Sequence, residues 1–283
     1  MKAVHFGILG PIRVHVAGSE VKVGGRQREL LAALLLRPNA IVPAEQLIEL
    51  IWPGAPAAGL LHRLHTCMGR LRACLTPDAA ARIVTREPGY LLRLEPGELD
   101  AEQFDSLCRE CLDSARCSSW ARVVDASDTA LALWRGEPLL DVPALTDRTA
   151  VAGHYNEQLL HLLGARMDAL INLGRHVEAA TNLAGLVREH PLCERFTAQR
   201  MTALALDGRR AEALMAYQNT REKLVNVLGV EPGEDVRSLH RTILKGNVAL
   251  LPSADHGRTA RRGDRGPVRQ ATPAAAAARG YRP

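Results

Sequence analysis

Between Glu49 and Asp78 this chain contains no acidic residue, although its 283 residues include 31 Asp and Glu. Aromatic residues are scarce as well, at 4%. That disfavours an aromatic-cored β-sandwich and leaves small and aliphatic side chains to build packed helices. No apolar run approaches the roughly 20 residues needed to span a bilayer. The start, MKAVHFGILGPIRVHV, is too short and strand-like for a signal peptide. A cytoplasmic protein without a membrane partner is therefore expected. HExxH, GxSxG and GxxxxGK[ST] are all missing, so the sequence predicts no enzyme, no nucleotide hydrolysis and no cofactor.

Metal-like spacing is limited. Cys108 and Cys111 form one CxxC, with Cys117 six residues on, but no second CxxC or paired histidines accompany them. Phe104, Leu107, Cys108, Cys111, Leu112 and Ala115 recur at helical spacing, so these cysteines read as core thiols. His62 and His65 stand three apart beside Cys67, a spacing that also suits a metal; histidines facing DNA are the simpler reading. No metal site is predicted.

What the acid-free stretch does contain is LLHRLHTCMGRLRACL, residues 60–75. Leu60, Leu64, Cys67 with Met68, Leu71 and Leu75 repeat as a helix face turned to a core. Arg63, Thr66 and Arg70 form a second stripe, flanked by His62, His65, Gly69 and Arg72. Short strand patterns precede it (AVHFGIL, IRVHV, EVKV), followed by two helix patterns, RQRELLAALLLRPN and PAEQLIELIWPG. After it, ARIVTREPGYLLRL reads as two strands around Glu87-Pro88-Gly89. Strands, three helices and a closing hairpin predict a winged helix-turn-helix over residues 1–97, with the third helix, beginning near Ala57, in the DNA major groove. A carboxylate there would face the phosphates of both groove walls, whereas arginine both reads guanine and clamps phosphate. A plain solvated face on an Ala- and Arg-rich protein is the bland alternative.

Charge divides the chain in three. Residues 1–97 carry 12 basic and 7 acidic side chains, residues 98–251 carry 17 and 22, and residues 252–283 carry 7 and 2. The acidic middle is almost all helical in pattern. Within it GRHVEA (174–179) recurs as GRRAEA (208–213), a spacing of 34 that predicts tetratricopeptide-like helix pairs. Such stacks make binding surfaces. The Pro-, Gly- and Arg-rich tail, residues 252–283, is expected to be disordered and to add at most weak DNA attraction. The expected fold class is thus mostly α with a small β component, a winged helix followed by an all-α domain.

Several segments together carry a family resemblance: FGILGPIRV, GGRQRELLAALLL, LIELIW, GRLRACL, VTREPGYLLRL and ELDAEQFDSL, then ALALWRGEPL, LGRHVEAATNLAGLVREHPLCERF, GRRAEALMAYQ and LVNVLGVEPGEDVRSLHRTIL. Over roughly residues 3–246 the chain resembles the Streptomyces antibiotic regulatory protein family. Those proteins join an OmpR-like winged helix to a bacterial transcriptional activation domain. The resemblance implies an activator of a biosynthetic gene cluster that binds promoter direct repeats head-to-tail and contacts RNA polymerase and its sigma factor on the nucleoid. It maps Arg63, Thr66, Arg70 and Arg72 onto the recognition helix and Arg86 onto the wing; His65, on the same helix, is expected to face the DNA as well. Arg26 and Arg28 stand beside the first helix, where they could hold phosphates. The recognition helix departs from relatives at Cys67 and Gly69. An adaptor acting through protein contacts alone, and a repressor of the same architecture, are the competing readings.

Overall fold

The computed structural model describes residues 3–56, 58–145 and 147–247; the tail 252–283 and Ala57 lie outside them. The chain opens with an antiparallel sheet of β1 (Val4–Gly7), β2 (Arg13–Val16) and β3 (Ser19–Glu20). The third strand is shorter than EVKV suggests: it pairs through Ser19 and Glu20 alone. Then follow α1 (Gly25–Leu35), β4 (Ile41–Pro43) and α2 (Ala44–Ile51). Next come α3 (Leu60–Cys74), a four-residue α4 (Pro77–Ala80), β5 (Ile83–Arg86) and β6 (Gly89–Leu92).

β4 is not legible in the sequence. It spans three residues and its partner, β6, lies almost fifty residues later. The second sheet runs β4-β6-β5, so the wing hairpin is pinned to the turn that enters α2. Gly89 makes this possible, because a Cβ there would sit 1.9 Å from the Val42 carbonyl oxygen. Asn39, which ends the α1 segment, exchanges two side-chain hydrogen bonds with the backbone of Leu94 at 3.0 and 2.9 Å.

The helices of the second part are α5 (Asp100–Arg116), α6 (Trp120–Leu133), α7 (Arg148–Asn172), α8 (His176–Glu189), α9 (Glu194–Leu206), α10 (Arg210–Leu228) and α11 (Glu234–Leu244). The repeat seen in sequence is a structural one. In the α7–α8 turn, Gly174 N–H donates to Ile171 C=O and Arg175 N–H to Leu170 C=O; in α9–α10, Gly208 donates to Ala205 and Arg209 to Leu204. Both glycines are left-handed, with φ of 74° and 78°, as this helix-ending motif requires. Arg175–Glu178 and Arg209–Glu212 repeat as the ion pair one step on.

A third copy of the turn is hidden in the sequence. At α5–α6, Ser118 N–H donates to Ala115 and Ser119 N–H to Ser114, with Ser118 at φ 54°. Serine in place of glycine erases the signal. The long α7 then moves the next turn out of period.

Along α5 the sequence pattern holds only in part. Phe104 and Cys111 are buried, Leu107, Cys108 and Ala115 half-buried, but Leu112 is 53% exposed and Ser114 is buried instead. Cys111 Sγ lies 3.4 Å from Ser127 Oγ within the core.

The two parts share one apolar core, continuous from Val4 to Ile243. A polar seam joins them. Phe6 N–H donates to Glu98 C=O at 2.7 Å. The Asp100 carboxylate accepts the N–H groups of Ile8 (2.8 Å) and Leu9 (3.1 Å) and pairs with Arg135 at 3.0 Å. Arg135 also donates to Pro11 C=O at 2.6 Å. A Cβ at Gly7 would lie 2.4 Å from the Arg135 guanidinium, so glycine there lets the cation rest on the β1 backbone. Two segments that carry the family resemblance, FGILGP and LWRGEP, are thus two sides of one contact.

Candidate nucleic-acid interface

α3 is laid down by its apolar stripe. Leu60, Leu64, Cys67, Met68 and Leu71 are buried on the side of α3 that packs with α1, α2 and α4, as their spacing dictates. The opposite face carries Leu61, His62, Arg63, His65, Thr66, Gly69 and Arg70, all exposed. The helix starts at Leu60, behind a left-handed Gly59, later than its sequence pattern suggests.

Arg26, Gln27, Trp52, His62, Arg63, Thr66, Cys67 and Arg70 line a cleft of about 530 Å³ between the start of α1, the end of α2 and the outer side of α3. Trp52 is half-buried, and the Arg63 guanidinium carbon stands 5.3 Å from its ring centroid, within cation–π range. Arg26 pairs with Glu29 at 2.6 Å and donates to the Ile51 carbonyl at 3.0 Å. Arg63 and Arg70 make no ion pair among the described residues. Cys67 is only 6% exposed, and burial pushes its thiol up, so it meets this cleft as a neutral group.

On its other flank α3 meets the wing. His65 makes an edge contact with Tyr90, ring centroids 6.5 Å apart. Arg72 donates to Ile83 C=O and to Thr85 Oγ1, each at 2.9 Å, and its guanidinium carbon lies 5.8 Å from the Tyr90 ring centroid. Arg72 therefore ties the wing to the helix. Arg86 is exposed at the end of β5, beside the hairpin turn. Of the residues predicted from sequence, Arg26, Arg63, Thr66 and Arg70 converge on one cleft, while His65, Arg72 and Arg86 belong to the wing side. Arg28 does neither. It donates to Val23 C=O at 2.8 Å and pairs with Asp141 of the helical part at 3.0 Å, where Asp141 also accepts the Ile12 N–H.

Gln27 and Trp52 join the cleft without a signal in the sequence. Trp52 follows the last residue of α2, an apolar context that suggests packing; only the angle between α2 and α3 brings its ring to the opening.

A model of the bacterial transcriptional activator domain matches residues 99–244, and a model of the C-terminal domain of transcriptional regulatory proteins matches residues 18–92. Regulatory protein DnrI of Streptomyces peucetius is 31% identical over 87% of this chain and 94% of its own length. The chain belongs to the Streptomyces antibiotic regulatory protein family. As a member it is a transcriptional regulator with an OmpR-like winged helix. Regulatory protein AfsR of Streptomyces coelicolor is 36% identical over 88% of this chain, and the one from Streptomyces griseus 35% over 89%. The chain spans about a quarter of either one's length, 25% and 26%. Among solved structures, Mycobacterium tuberculosis EmbR in complex with a low-affinity phosphopeptide superposes with a TM-score of 0.79 at 28% identity, over 87% of this chain and 66% of that one.

Proposed function

We propose that this regulator is a sequence-specific DNA-binding activator of a biosynthetic gene cluster. In this reading α3 enters the major groove, where Arg63, Thr66 and Arg70 reach base edges. Arg26, the uncapped start of α1, His65 and Arg86 take phosphates, since free N–H groups and positive charge both suit an anion there. Arg72 positions the wing, and Arg28 holds the two domains together. The carrying observation is the convergence of Arg26, Arg63 and Arg70 on one exposed cleft beside a helix with no carboxylate. The division is a DNA-binding domain over 1–97 and an activation domain over 98–251. The activation domain contacts RNA polymerase and its sigma factor, and copies associate head-to-tail on promoter direct repeats. The protein works in the cytoplasm on the nucleoid, without catalysis or cofactor.

The test is a footprint on the promoters flanking its gene, across a salt series. Two evenly spaced protected repeats on one DNA face are expected, with affinity falling steeply as salt rises. Binding that is steeply salt-dependent but leaves no footprint would sink the reading.

A further inference from the structure

Away from the DNA-facing cleft, the first helices of successive hairpins touch one another, α5 with α7 and α7 with α9. They leave a second cleft of about 640 Å³, lined by Cys108, Arg109 and Leu112 from α5, His161, Leu162 and Ala165 from α7, with Arg195 of α9 at one end. That volume lies within the roughly 300–1,000 Å³ typical of small-molecule sites. Its walls are largely hydrocarbon and sulfur. Leu112, which the sequence pattern assigns to the core, stands 53% exposed at this opening. Burial pushes the Cys108 thiol up to about 12, so it presents a neutral, polarisable surface.

The charges around the cleft are unequal. Arg109 is exposed, donates only to the Asp105 carbonyl at 3.3 Å, and makes no ion pair among the described residues. His161 has Glu157 at 3.8 Å, and Arg195 is held by Asp168 at 2.9 Å. The lining carboxylate, Asp105, is half-buried, and burial raises its pKa. Its buried Oδ1 and the Gln158 Oε1 lack hydrogen-bond partners among the described residues. Turning over the Gln158 amide lets it donate to Asp105 and accept from His154 Nε2, 2.8 Å away. Among the described residues, the lining cation that no carboxylate reaches is the Arg109 guanidinium.

We propose that this cleft binds a small amphiphilic anion, an aliphatic or aryl carboxylate. Its apolar body lies on Cys108, Leu112, Leu162 and Ala165, and its carboxylate pairs with Arg109. Guanidinium and carboxylate match as a planar, charge-assisted pair. A site of this kind gives the regulator a ligand-responsive surface separate from its DNA contacts.

Isothermal titration of the full chain with octanoate, octanamide and octylamine tests this. Octanoate should bind saturably at one site, about tenfold or more tighter than either control, as expected for a charge-assisted bond. Arg109→Gln, on an exposed side chain, should erase that preference while the amide still binds. Ala165→Trp should fill the cleft and abolish binding of both, and Leu112→Glu at the rim should do the same to octanoate if the tryptophan variant fails to fold. No saturable binding of octanoate, unchanged affinity in Arg109→Gln, or tighter binding of octylamine would each overturn the proposal; the last would make Asp105 the recognising group. Promoter footprinting of the same variants separates this site from the DNA-binding reading, since none of the three residues faces the DNA cleft.

Discussion

The arginines of the helical hairpins and those of α3 and the wing are used in opposite ways. In the helical hairpins most are spent on carboxylates: Arg116 on Asp113, Arg122 on Glu110, Arg166 on Asp128, Arg175 on Glu178, Arg221 on Glu231. On α3 and the wing, Arg63, Arg70, Arg72 and Arg86 have no carboxylate partner among the described residues. The same side chain neutralises a helical surface in one place and leaves an uncompensated field in the other. A field held open in this way is what attracts a polyanion. Between the two regions, Arg135 and Arg28 are spent on Asp100 and Asp141, which makes the seam a third use. Arg109 is a helical-domain arginine that breaks the local rule, and it borders the apolar cleft.

Substitutions in each region sharpen this contrast. The largest effect belongs to the seam: Asp100→Ala strands the Arg135 cation and two backbone N–H groups in a poorly hydrated setting. It should lower stability by about 3–5 kcal/mol, read by urea denaturation. A decrease no larger than that of a surface pair would mean that the seam is not a structural lock. Next, Arg63→Ala and Arg70→Ala should leave folding intact and each weaken promoter affinity by about 1–3 kcal/mol. If either arginine binds a phosphate and not a base, its removal should reduce the salt slope by about one. Affinity and slope both unchanged would remove α3 from the interface.

Backbone strain gives a smaller effect of opposite sign. Ser118 holds a left-handed conformation that costs a non-glycine residue roughly 1–2 kcal/mol, so Ser118→Gly should stabilise the helical domain by about 1 kcal/mol and raise its melting temperature. If it destabilises, the hidden third turn is not built like those at Gly174 and Gly208. The smallest change is expected from Arg209→Ala at an exposed ion pair, which should leave the melting temperature essentially unmoved because solvent screens such pairs.

Much of this molecule is readable from its residues in order. The spacing of Leu60, Leu64, Met68 and Leu71 dictates which side of α3 is buried, and therefore which residues are offered outward. The two 34-residue copies are visible because both keep glycine where the backbone must turn left-handed. The third is not, because Ser118 reaches the same backbone angle without the same residue. β4 escapes because three residues carry too little alternation to signal a strand. Adjacency groups Arg28 with Arg26. Only the approach of Asp141, more than a hundred residues away, reveals that it belongs to the seam.

The sequence by itself therefore determined most of the elements, the polarity of α3 and the acid-free surface around it, because these follow from local periodicity and composition. The tertiary structure alone decided which arginines stay free, that Trp52 and Gln27 border the cleft, and that Leu112 faces an opening instead of the core. The physical reason is that a charge or an apolar side chain has no fixed meaning until its neighbours are placed. An arginine is a ligand-binding group or a structural brace according to whether a carboxylate reaches it, and reach is a property of the folded chain.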